Sequence, residues 1–434
     1  MTTSRRLLCT LVAAAGLTLL TPAGTRSTTA GAPNPGVPNP GVTGAAHDRG
    51  WTGTWEAAPS HAVPALPGSS IRNVVHTSVG GRAARIRVTN RFGTAPLRIG
   101  AVTVALQRPG RPASPGAVPG SMRRATFSGA TAVTVPAGRD LVTDPVPLEV
   151  PADANLLVTL HTPPGGPDSP ATQHRSARQT GFIAPGGDST ADESGTEYTA
   201  ATGSWHYLTG VDVLSPRTPG SVVALGDSIT DGTGSTADAN RRWPDRLAAR
   251  LAELPPEERP GVLNAGIAGN RLLLDGTGPG ARARFDADVL SRTGVRAVIV
   301  LIGVNDLKGV PEQTDPAAFR AAHREIVRRA HARGVRVVGG TVAPFAGHPG
   351  HTEARERARR SVNHLIRTGG IFDAVADFDA AVRDPEHPRR LLPAYDTGDH
   401  LHLNDAGLQA LADTVDLRDL TGTRAPGTDR APGH

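Results

Sequence analysis

The chain has 434 residues, more than one ordinary domain needs, so we expect two folded units with tails. Its 46 Lys and Arg residues exceed its 40 Asp and Glu residues only slightly, and no basic run carries interleaved aromatic residues, which argues against a nucleic-acid-binding protein. The single cysteine, Cys9, lies near the N-terminus, so disulfide bonds and cysteine catalysis are excluded for the rest of the chain.

The first 30 residues have the features of a secretory signal peptide. Arg5 and Arg6 precede the apolar residues 7–20, and small residues around Ala23 and Ala30 offer cleavage sites. The apolar run is too short and too interrupted to span a membrane, so we expect a secreted protein without stable membrane insertion. The sequence does not decide between the Sec and the twin-arginine export routes. Residues 31–49, rich in Pro and Gly, are predicted to form an extended linker.

Residues 50–215 alternate short apolar runs with turn residues and contain no long helical period. The clearest runs cover residues 82–89, 99–106, 146–150 and 156–161. In the first run, Ala84, Ile86 and Val88 alternate with polar residues, which predicts a strand with one buried face and one wet face. We therefore predict an antiparallel β-sandwich domain.

Residues 216–420 change to strands that alternate with helices. Strands are predicted at residues 222–225, 297–302, 335–338 and 374–378, with helices starting near Trp243, Pro316, Glu353 and Asn404. Continuous apolar strands between helices are typical of a parallel sheet that is covered on both faces, so we predict a doubly wound α/β domain. Its functional residues should gather at the carboxyl ends of the strands. Residues 421–434 are predicted to form a disordered tail.

Ser228 lies at the carboxyl end of the first predicted strand of the α/β domain, on the turn Gly226-Asp227-Ser228 that leads toward a helix. At the end of a parallel strand and the start of a helix, its hydroxyl is held out of the sheet and its backbone N–H can face negative charge. The same three letters recur at residues 187–189, but in a Pro/Gly-rich loop without a clear preceding strand. We therefore predict Ser228 as a nucleophile.

A serine hydroxyl needs a base to accept its proton, and a third group to orient that base. Asp399 and His402 lie three residues apart before the last helix, a spacing at which a carboxylate can hold an imidazole N–H. Asp384 and His387 repeat this spacing, but prolines bracket them on an expected surface turn. We predict His402 as the base and Asp399 as its partner, while position alone does not exclude His400.

Acyl transfer also requires hydrogen-bond donors that are aimed at the developing oxyanion. A segment rich in Gly and Asn follows the second strand of the α/β domain, and a Gly-Val-Asn-Asp sequence follows the third. The predicted donors are the backbone N–H groups of Ser228 and Gly269 and the side-chain amide of Asn305, with Gly266 as the alternative to Gly269. The aspartates beside Ser228 and Asn305 are expected to brace their loops.

In this order, these segments resemble the sequence blocks of the SGNH/GDSL hydrolase superfamily, whose name records a Ser, a Gly, an Asn and a His. The corresponding residues here are Ser228, Gly269, Asn305 and His402. The resemblance implies a flavodoxin-like sheet, a metal-free serine mechanism without a cofactor, and activity on esters, often of acetylated sugars or acyl lipids.

The resemblance extends to one subgroup of this superfamily. Residues 51–57 and 372–405 are similar to secreted bacterial members that have an N-terminal β-rich domain and are associated with xylan-type esterases. Leu403 departs from the pattern, because many relatives have proline after the histidine. We therefore predict a secreted serine esterase that acts through an acyl-enzyme on short-chain or acetyl esters of polysaccharide, with lipid acyl esters as the alternative. The oligomeric state stays open.

A metal-dependent enzyme is a second class. Asp and His side chains that are close in sequence could bind zinc, and they comprise Asp399, His400, His402 and Asp405, with His348 and His351 on another loop. Such a site would not explain why Ser228 and Asn305 occupy strand ends.

A carbohydrate-binding protein with a non-catalytic α/β domain is a third class. Trp51, Trp55 and Trp205 could stack on sugar rings, although sparse aromatic residues in a sandwich more often pack in its core.

Overall fold

The chain divides into an antiparallel region that is followed by a parallel α/β region in this computed structural model, which describes residues 50–110, 114–167 and 169–421. The predicted signal peptide and linker, and the predicted tail beyond residue 421, lie outside the described residues. The chain passes from the antiparallel to the parallel region between Leu214 and Ser221.

The antiparallel region consists mainly of strands and turns. Within the described residues its strands are β1 Trp51–Glu56, β2 His61–Val63, β3 Ser69–His76, β4 Gly81–Thr89, β5 Leu97–Ile99, β6 Ala101–Leu106, β7 Arg123–Ala125, β8 Val133–Val135, β9 Asp140–Val142, β10 Val146–Val150, β11 Asn155–Thr162, β12 Ala171–His174, β13 Gly181–Pro185, β14 Ala200–Thr202, β15 Trp205–His206 and β16 Leu208–Leu214.

Two larger sheets of this region share one apolar core. One sheet has the order β1-β16-β4-β10, with β9 also paired to β4, and the other has the order β14-β13-β3-β11-β6-β7. Ile86 from the first sheet and Val104 and Val158 from the second are fully buried in the same cluster. The predicted antiparallel β-sandwich is therefore confirmed.

The prediction that β4 has a wet face is wrong. Its three alternating apolar residues are fully buried, but Thr89 on the opposite face is buried as well. On that face Arg85 pairs with Asp212 at 3.0 Å, and Asp212 accepts a hydrogen bond of 2.7 Å from the hydroxyl of Thr293. Because Thr293 belongs to the parallel region, this face is covered by protein rather than by water.

The parallel region alternates strands and helices. Within the described residues its strands are β17 Ser221–Gly226, β18 Gly261–Gly266, β19 Val295–Leu301, β20 Arg336–Gly340 and β21 Ala374–Ala376. Its helices are α1 Ser228–Asp231, α2 Trp243–Ala252, α3 Ala281–Phe285, α4 Val304–Lys308, α5 Pro316–His331, α6 Glu353–Thr368, α7 Phe378–Val382, α8 Asp405–Thr414 and α9 Arg418–Thr421, with a 3₁₀-helix at Pro256–Glu258 and a π-helix at Asp286–Leu290. None of the helices in the described residues has the length and apolar character that a membrane crossing requires.

The five parallel strands follow the order β18-β17-β19-β20-β21. Both faces of this sheet are covered, because Val223 packs in a cluster with Phe319 of α5, whereas Val222 packs on the other side with Trp243 of α2. This is the flavodoxin-like, doubly wound arrangement that the sequence predicted. In this sheet β18 pairs with one side of β17 and β19 pairs with the other side. Because the three strands are parallel, their carboxyl ends lie side by side.

The antiparallel region lies against β18, an edge strand of the parallel sheet. Ala57 forms a parallel bridge with Asn264, and the hydroxyl of Ser78 accepts a hydrogen bond of 2.9 Å from the N–H of Val262. Ala58 is fully buried in the core of the parallel region. Both regions thus belong to one compact unit.

A buried cluster of charges also joins the two regions. Glu56 contacts Nε of Arg292 at 2.7 Å, and Asp288 pairs with Arg284 at 3.1 Å and with Arg91. Burial raises the pKa of Glu56 to about 8, although Arg292 acts in the opposite direction. Removing one partner of such a cluster leaves an uncompensated buried charge, which typically costs about 3–5 kcal/mol of stability.

Candidate active site

Ser228 is the first residue of the short helix α1, and only Asp227 separates it from the end of β17. The carboxylate of Asp227 caps this helix and accepts a hydrogen bond of 3.1 Å from the N–H of Ile229. The N–H of Ser228 has no acceptor among the described residues. Its hydroxyl and its free N–H therefore lie at the carboxyl end of the sheet, as the sequence predicted.

The structure brings Ser228 together with the predicted base and its partner. Nε2 of His402 lies 2.9 Å from Oγ of Ser228, and Nδ1 of the same ring lies 2.5 Å from Oδ2 of Asp399. With a hydrogen on Nδ1, His402 donates to the carboxylate and can accept the hydroxyl proton at Nε2. The three groups form the connected chain that an activated serine requires.

Asp399 is held as a carboxylate. Its Oδ1 accepts hydrogen bonds from the N–H groups of His402 at 2.8 Å and of Leu401 at 3.0 Å. Burial alone would raise the pKa of Asp399, but the hydrogen bonds from the backbone and ring of His402 outweigh it and hold the pKa well below its usual range. Asp399 therefore stays ionised at every pH at which an imidazole is neutral.

His400, the competing base, faces a different partner. Its Nδ1 lies 2.6 Å from Oδ2 of Asp396, and its ring lies against the backbone of Gly347. The repeated pair of Asp384 and His387 is also separate, with a ring that is 65% exposed. Within the described residues, the only histidine bonded to the Ser228 hydroxyl is the predicted one.

The two glycine alternatives for the oxyanion site differ in the use of their N–H groups. The N–H of Gly266 donates to the side chain of Asn264 at 2.9 Å, so it is not available to a substrate. Gly269 has φ +82°, which places it in the left-handed region that favours glycine, and its N–H has no acceptor among the described residues. The geometry favours Gly269.

Asn305 lies in α4, just beyond the carboxyl end of β19, and the residue is 7% exposed. Its Nδ2 donates to the carbonyl of Asn270 at 2.9 Å. A primary amide carries two N–H bonds, so the second remains for an oxyanion. The bond to Asn270 fixes the direction of that second donor.

We expect Asn305→Ala to lower kcat for an ester by about 100- to 1000-fold while changing KM little, because a donor to the oxyanion acts mainly in the transition state. Steady-state kinetics on nitrophenyl acetate would measure this effect. Asn73→Ala is a suitable control, since it removes a buried amide that donates to His206 in the antiparallel region. Equal losses of kcat in both variants would remove Asn305 from the oxyanion site.

The aspartates beside Ser228 and Asn305 bond to the backbone. Asp306 accepts hydrogen bonds from the N–H groups of Leu272 at 2.7 Å and of Leu273 at 2.9 Å, and so holds the chain that follows Gly269. Burial raises the pKa of Asp227 to about 7, opposed in part by its bond to Ile229.

The raised pKa of Asp227 predicts a dependence of stability on pH. Its carboxyl is protonated in both the folded and the unfolded state below about pH 4, so the cost of burying a carboxylate develops as the pH rises and is complete above about pH 7. Asp227→Asn keeps the cap without this cost. Relative to wild type, it should gain stability between pH 4 and pH 8, by at most about 4 kcal/mol.

Urea unfolding of both proteins across this pH range would measure the difference in free energy. Asp315→Asn, at the exposed N-cap of α5, is the control and should show no such trend. A difference for Asp227→Asn that is independent of pH would contradict the prediction.

Sequence reasoning missed a buried arginine at the site. The guanidinium of Arg284 donates to the carbonyls of Gly226 at 3.0 Å and of Ala265 at 2.8 Å, and to the side chain of Asn270 at 3.1 Å. It therefore ties the ends of β17 and β18 to the segment that carries Gly269. No local pattern marks this arginine, because its partners are distant in sequence.

Among the described residues no group of three His, Cys, Asp or Glu side chains could hold a metal ion. Trp51, Trp55 and Trp205 are at most 8% exposed, and the last two meet edge to face at 4.9 Å. These three indoles pack in the core, so they are not available to stack on sugar rings.

Residues 224–410 match the GDSL-like Lipase/Acylhydrolase family. Among solved structures, a putative lipolytic protein of the G-D-S-L family from Desulfitobacterium hafniense DCB-2 is similar at 20% identity, with a TM-score of 0.37 over 46% of this chain and 99% of that chain. A carbohydrate acetylesterase from Sinorhizobium meliloti is similar at 18% identity, with a TM-score of 0.36 over 44% of this chain and 94% of that chain.

An acetyl xylan esterase from Geobacillus stearothermophilus is similar at 22% identity, with a TM-score of 0.37 over 47% of this chain and 95% of that chain. No curated protein matches the chain. The family match spans the segments that carry Ser228, Gly269, Asn305 and His402. The part of the chain from residue 224 to residue 410 is thus similar to GDSL-like lipases and acylhydrolases.

Proposed function

We propose that the protein is a serine esterase that hydrolyses carboxylic esters through an acyl-enzyme. His402 takes the hydroxyl proton as Ser228 attacks the ester carbonyl, and the N–H groups of Ser228 and Gly269 and the amide of Asn305 donate to the oxyanion. His402 then passes the proton to the leaving alcohol. Water next attacks the acyl carbonyl as His402 takes its proton, and that proton returns to the Ser228 oxygen as the acid leaves. The observation that carries this proposal is the continuous chain from the Ser228 hydroxyl through His402 to Asp399.

The substrate we propose is a short-chain ester, in particular an acetyl ester of a polysaccharide. The polar surroundings of the site support this choice. Lys308, the one lysine in the sequence, is half-buried near Asp227 and Asp399, and burial lowers its pKa. His348 lies near Lys308 and Asp399. Cationic and imidazole groups suit a hydroxyl-rich substrate better than a long acyl chain, which needs an apolar surface.

We also propose that the protein acts outside the cell and belongs to the xylan-esterase-like subgroup with an N-terminal β-rich domain. The features that support secretion are the paired arginines, the apolar run and the small residues in residues 1–30. N-terminal sequencing of protein recovered from the culture medium tests this part. Recovery of the uncleaved chain from inside the cells would contradict it.

Hydrolysis of nitrophenyl acetate, nitrophenyl palmitate and acetylated xylan by one enzyme preparation tests the substrate class. We expect kcat/KM for the acetate to exceed that for the palmitate, and acetate to be released from xylan. Preference for the palmitate would favour the lipid acyl ester alternative. Release of no acid from any of the three esters would contradict the proposed function.

A further inference from the structure

A buried histidine of the antiparallel region reaches the α/β region beside the candidate active site. His174 is the last residue of β12 and is 3% exposed. Its Nδ1 lies 2.7 Å from the carbonyl oxygen of Ala58, and its Nε2 lies 3.0 Å from Oδ1 of Asp231. Asp231 ends the helix α1 that begins with Ser228, so this contact joins the antiparallel region to the nucleophile helix.

Asp231 continues the connection to the oxyanion loop, which we define as residues 266–270. Its second oxygen, Oδ2, accepts a hydrogen bond of 2.9 Å from the N–H of Ala268. Ala268 directly precedes Gly269, whose free N–H is the predicted oxyanion donor. The Asp231 carboxylate, which His174 contacts, therefore holds the backbone one residue before the Gly269 donor.

The partners of His174 determine where its ring carries hydrogens. A carbonyl oxygen only accepts, so Nδ1 of His174 carries a hydrogen toward Ala58. Nε2 and the Asp231 carboxyl then share one further proton, and the bond between them is kept whichever of the two carries it. Asp231 uses both oxygens, one toward the histidine and one toward the loop, so it cannot rotate without losing a buried hydrogen bond.

The packing around the bridge limits its movement. Gly266 allows α1 to lie directly on β18, because a Cβ there would come within 2.2 Å of the backbone nitrogen of Asp231. The ring of His174 lies 5.3 Å from that of Trp205. In addition, the N–H and hydroxyl of Thr180 both donate to Asp238, which ties the antiparallel region to the chain that follows the nucleophile helix.

We propose that His174 is a positioning residue for ester hydrolysis, and that it acts through Asp231 to hold the oxyanion loop at the correct distance from Ser228. This inference rests on the proposed serine esterase function. It gives the antiparallel region a part in the chemistry, because that region supplies the histidine that completes the support of the loop. His174 itself does not contact substrate.

The test compares His174→Phe, Asp231→Ala and Asp231→Asn, with kcat and KM on nitrophenyl acetate and the midpoint of thermal unfolding measured for each. Phe keeps an aromatic ring beside Trp205 but loses both hydrogen bonds. We expect kcat of His174→Phe and Asp231→Ala to fall by about 10- to 100-fold with KM changed by less than about threefold, because a displaced donor weakens the transition state more than the bound ester.

Asp231→Asn should recover most of the loss seen in Asp231→Ala. An asparagine can accept from the Ala268 N–H with Oδ1 and donate through Nδ2 to a neutral His174. The double variant His174→Phe/Asp231→Ala should lose no more activity than the less active of the two single variants, because both changes break the same connection between His174, Asp231 and the oxyanion loop. His161→Phe is the control, since it removes another buried histidine of the antiparallel region, one that bonds to the carbonyl of Ser69.

Three results would overturn the inference while leaving the esterase proposal in place. They are wild-type kcat in both His174→Phe and Asp231→Ala, an equal loss of kcat in His161→Phe, and no recovery in Asp231→Asn. If His174→Phe fails to fold, the comparison of the two Asp231 variants decides the matter. Failure of the esterase proposal has a different signature, since Ser228→Ala would then hydrolyse the ester as fast as wild type.

Discussion

Ser228→Ala should lower kcat for nitrophenyl acetate by roughly 10⁴- to 10⁶-fold, leaving only the rate that binding and the oxyanion donors supply. The reason is geometric. The Ser228 hydroxyl, 2.9 Å from Nε2 of His402, is the one hydroxyl that the ring of this histidine contacts in the described residues. The fold should survive the change, because Ser228 Oγ makes no other hydrogen bond in the described residues and alanine is compatible with a helix.

The chain contains its own control for this experiment. Ser189 carries the same Gly-Asp-Ser sequence, but its N–H bonds to the hydroxyl of Ser70 and no histidine contacts its hydroxyl within the described residues. Ser189→Ala should keep wild-type kinetics. A serine-directed organophosphate should label wild type and Ser189→Ala but not Ser228→Ala. Comparable hydrolysis by Ser228→Ala and wild type would remove Ser228 from the mechanism.

Asp399→Asn should lower kcat by roughly 10³- to 10⁴-fold with little change in KM. The carboxylate accepts from Nδ1 of His402 at 2.5 Å and thereby keeps Nε2 free to take the serine proton. An amide can present its N–H₂ to Nδ1 instead, which favours the wrong tautomer of the imidazole. The structure of the loop should be retained, since the amide oxygen can still accept from the backbone N–H groups of Leu401 and His402.

Asp384→Asn is the matched control, because Asp384 and His387 have the same spacing on an exposed turn. We expect wild-type kinetics from it. Steady-state kinetics between pH 6 and pH 9, with folding checked by circular dichroism, would measure both variants. Unchanged kcat in Asp399→Asn would mean that His402 is oriented by its packing rather than by this carboxylate.

The sequence predicted both regions of the fold, and the reason lies in backbone geometry. Alternation with a period of two in residues such as Ala84, Ile86 and Val88 reports a strand with a buried face. Apolar strands such as residues 297–302, between helices with a period near 3.6, report a parallel sheet. These patterns are local, so they can be read without coordinates. They did not reveal what covers the second face of β4, because the alternation of residues within a strand does not depend on which distant segment packs against it.

The candidate site was predictable wherever its parts follow strand ends or lie close in sequence. Ser228 and Asn305 follow parallel strands, and Asp399 lies three residues before His402. The sequence left open which histidine is the base, because that choice depends on where each side chain points. His402 and His400 are neighbours, yet one ring faces Ser228 and the other faces Asp396.

By itself, the sequence determined the two fold classes, the strand ends that carry polar groups, and the short-range pairing of Asp399 with His402. Only the tertiary structure decided the contacts of His174 with Asp231, of Arg284 with the ends of two strands, and of Glu56 with Arg292. Secondary structure follows from backbone periods within a dozen residues. A buried polar contact instead depends on which side chains from distant segments are packed side by side, and that is fixed only when the two regions close on each other.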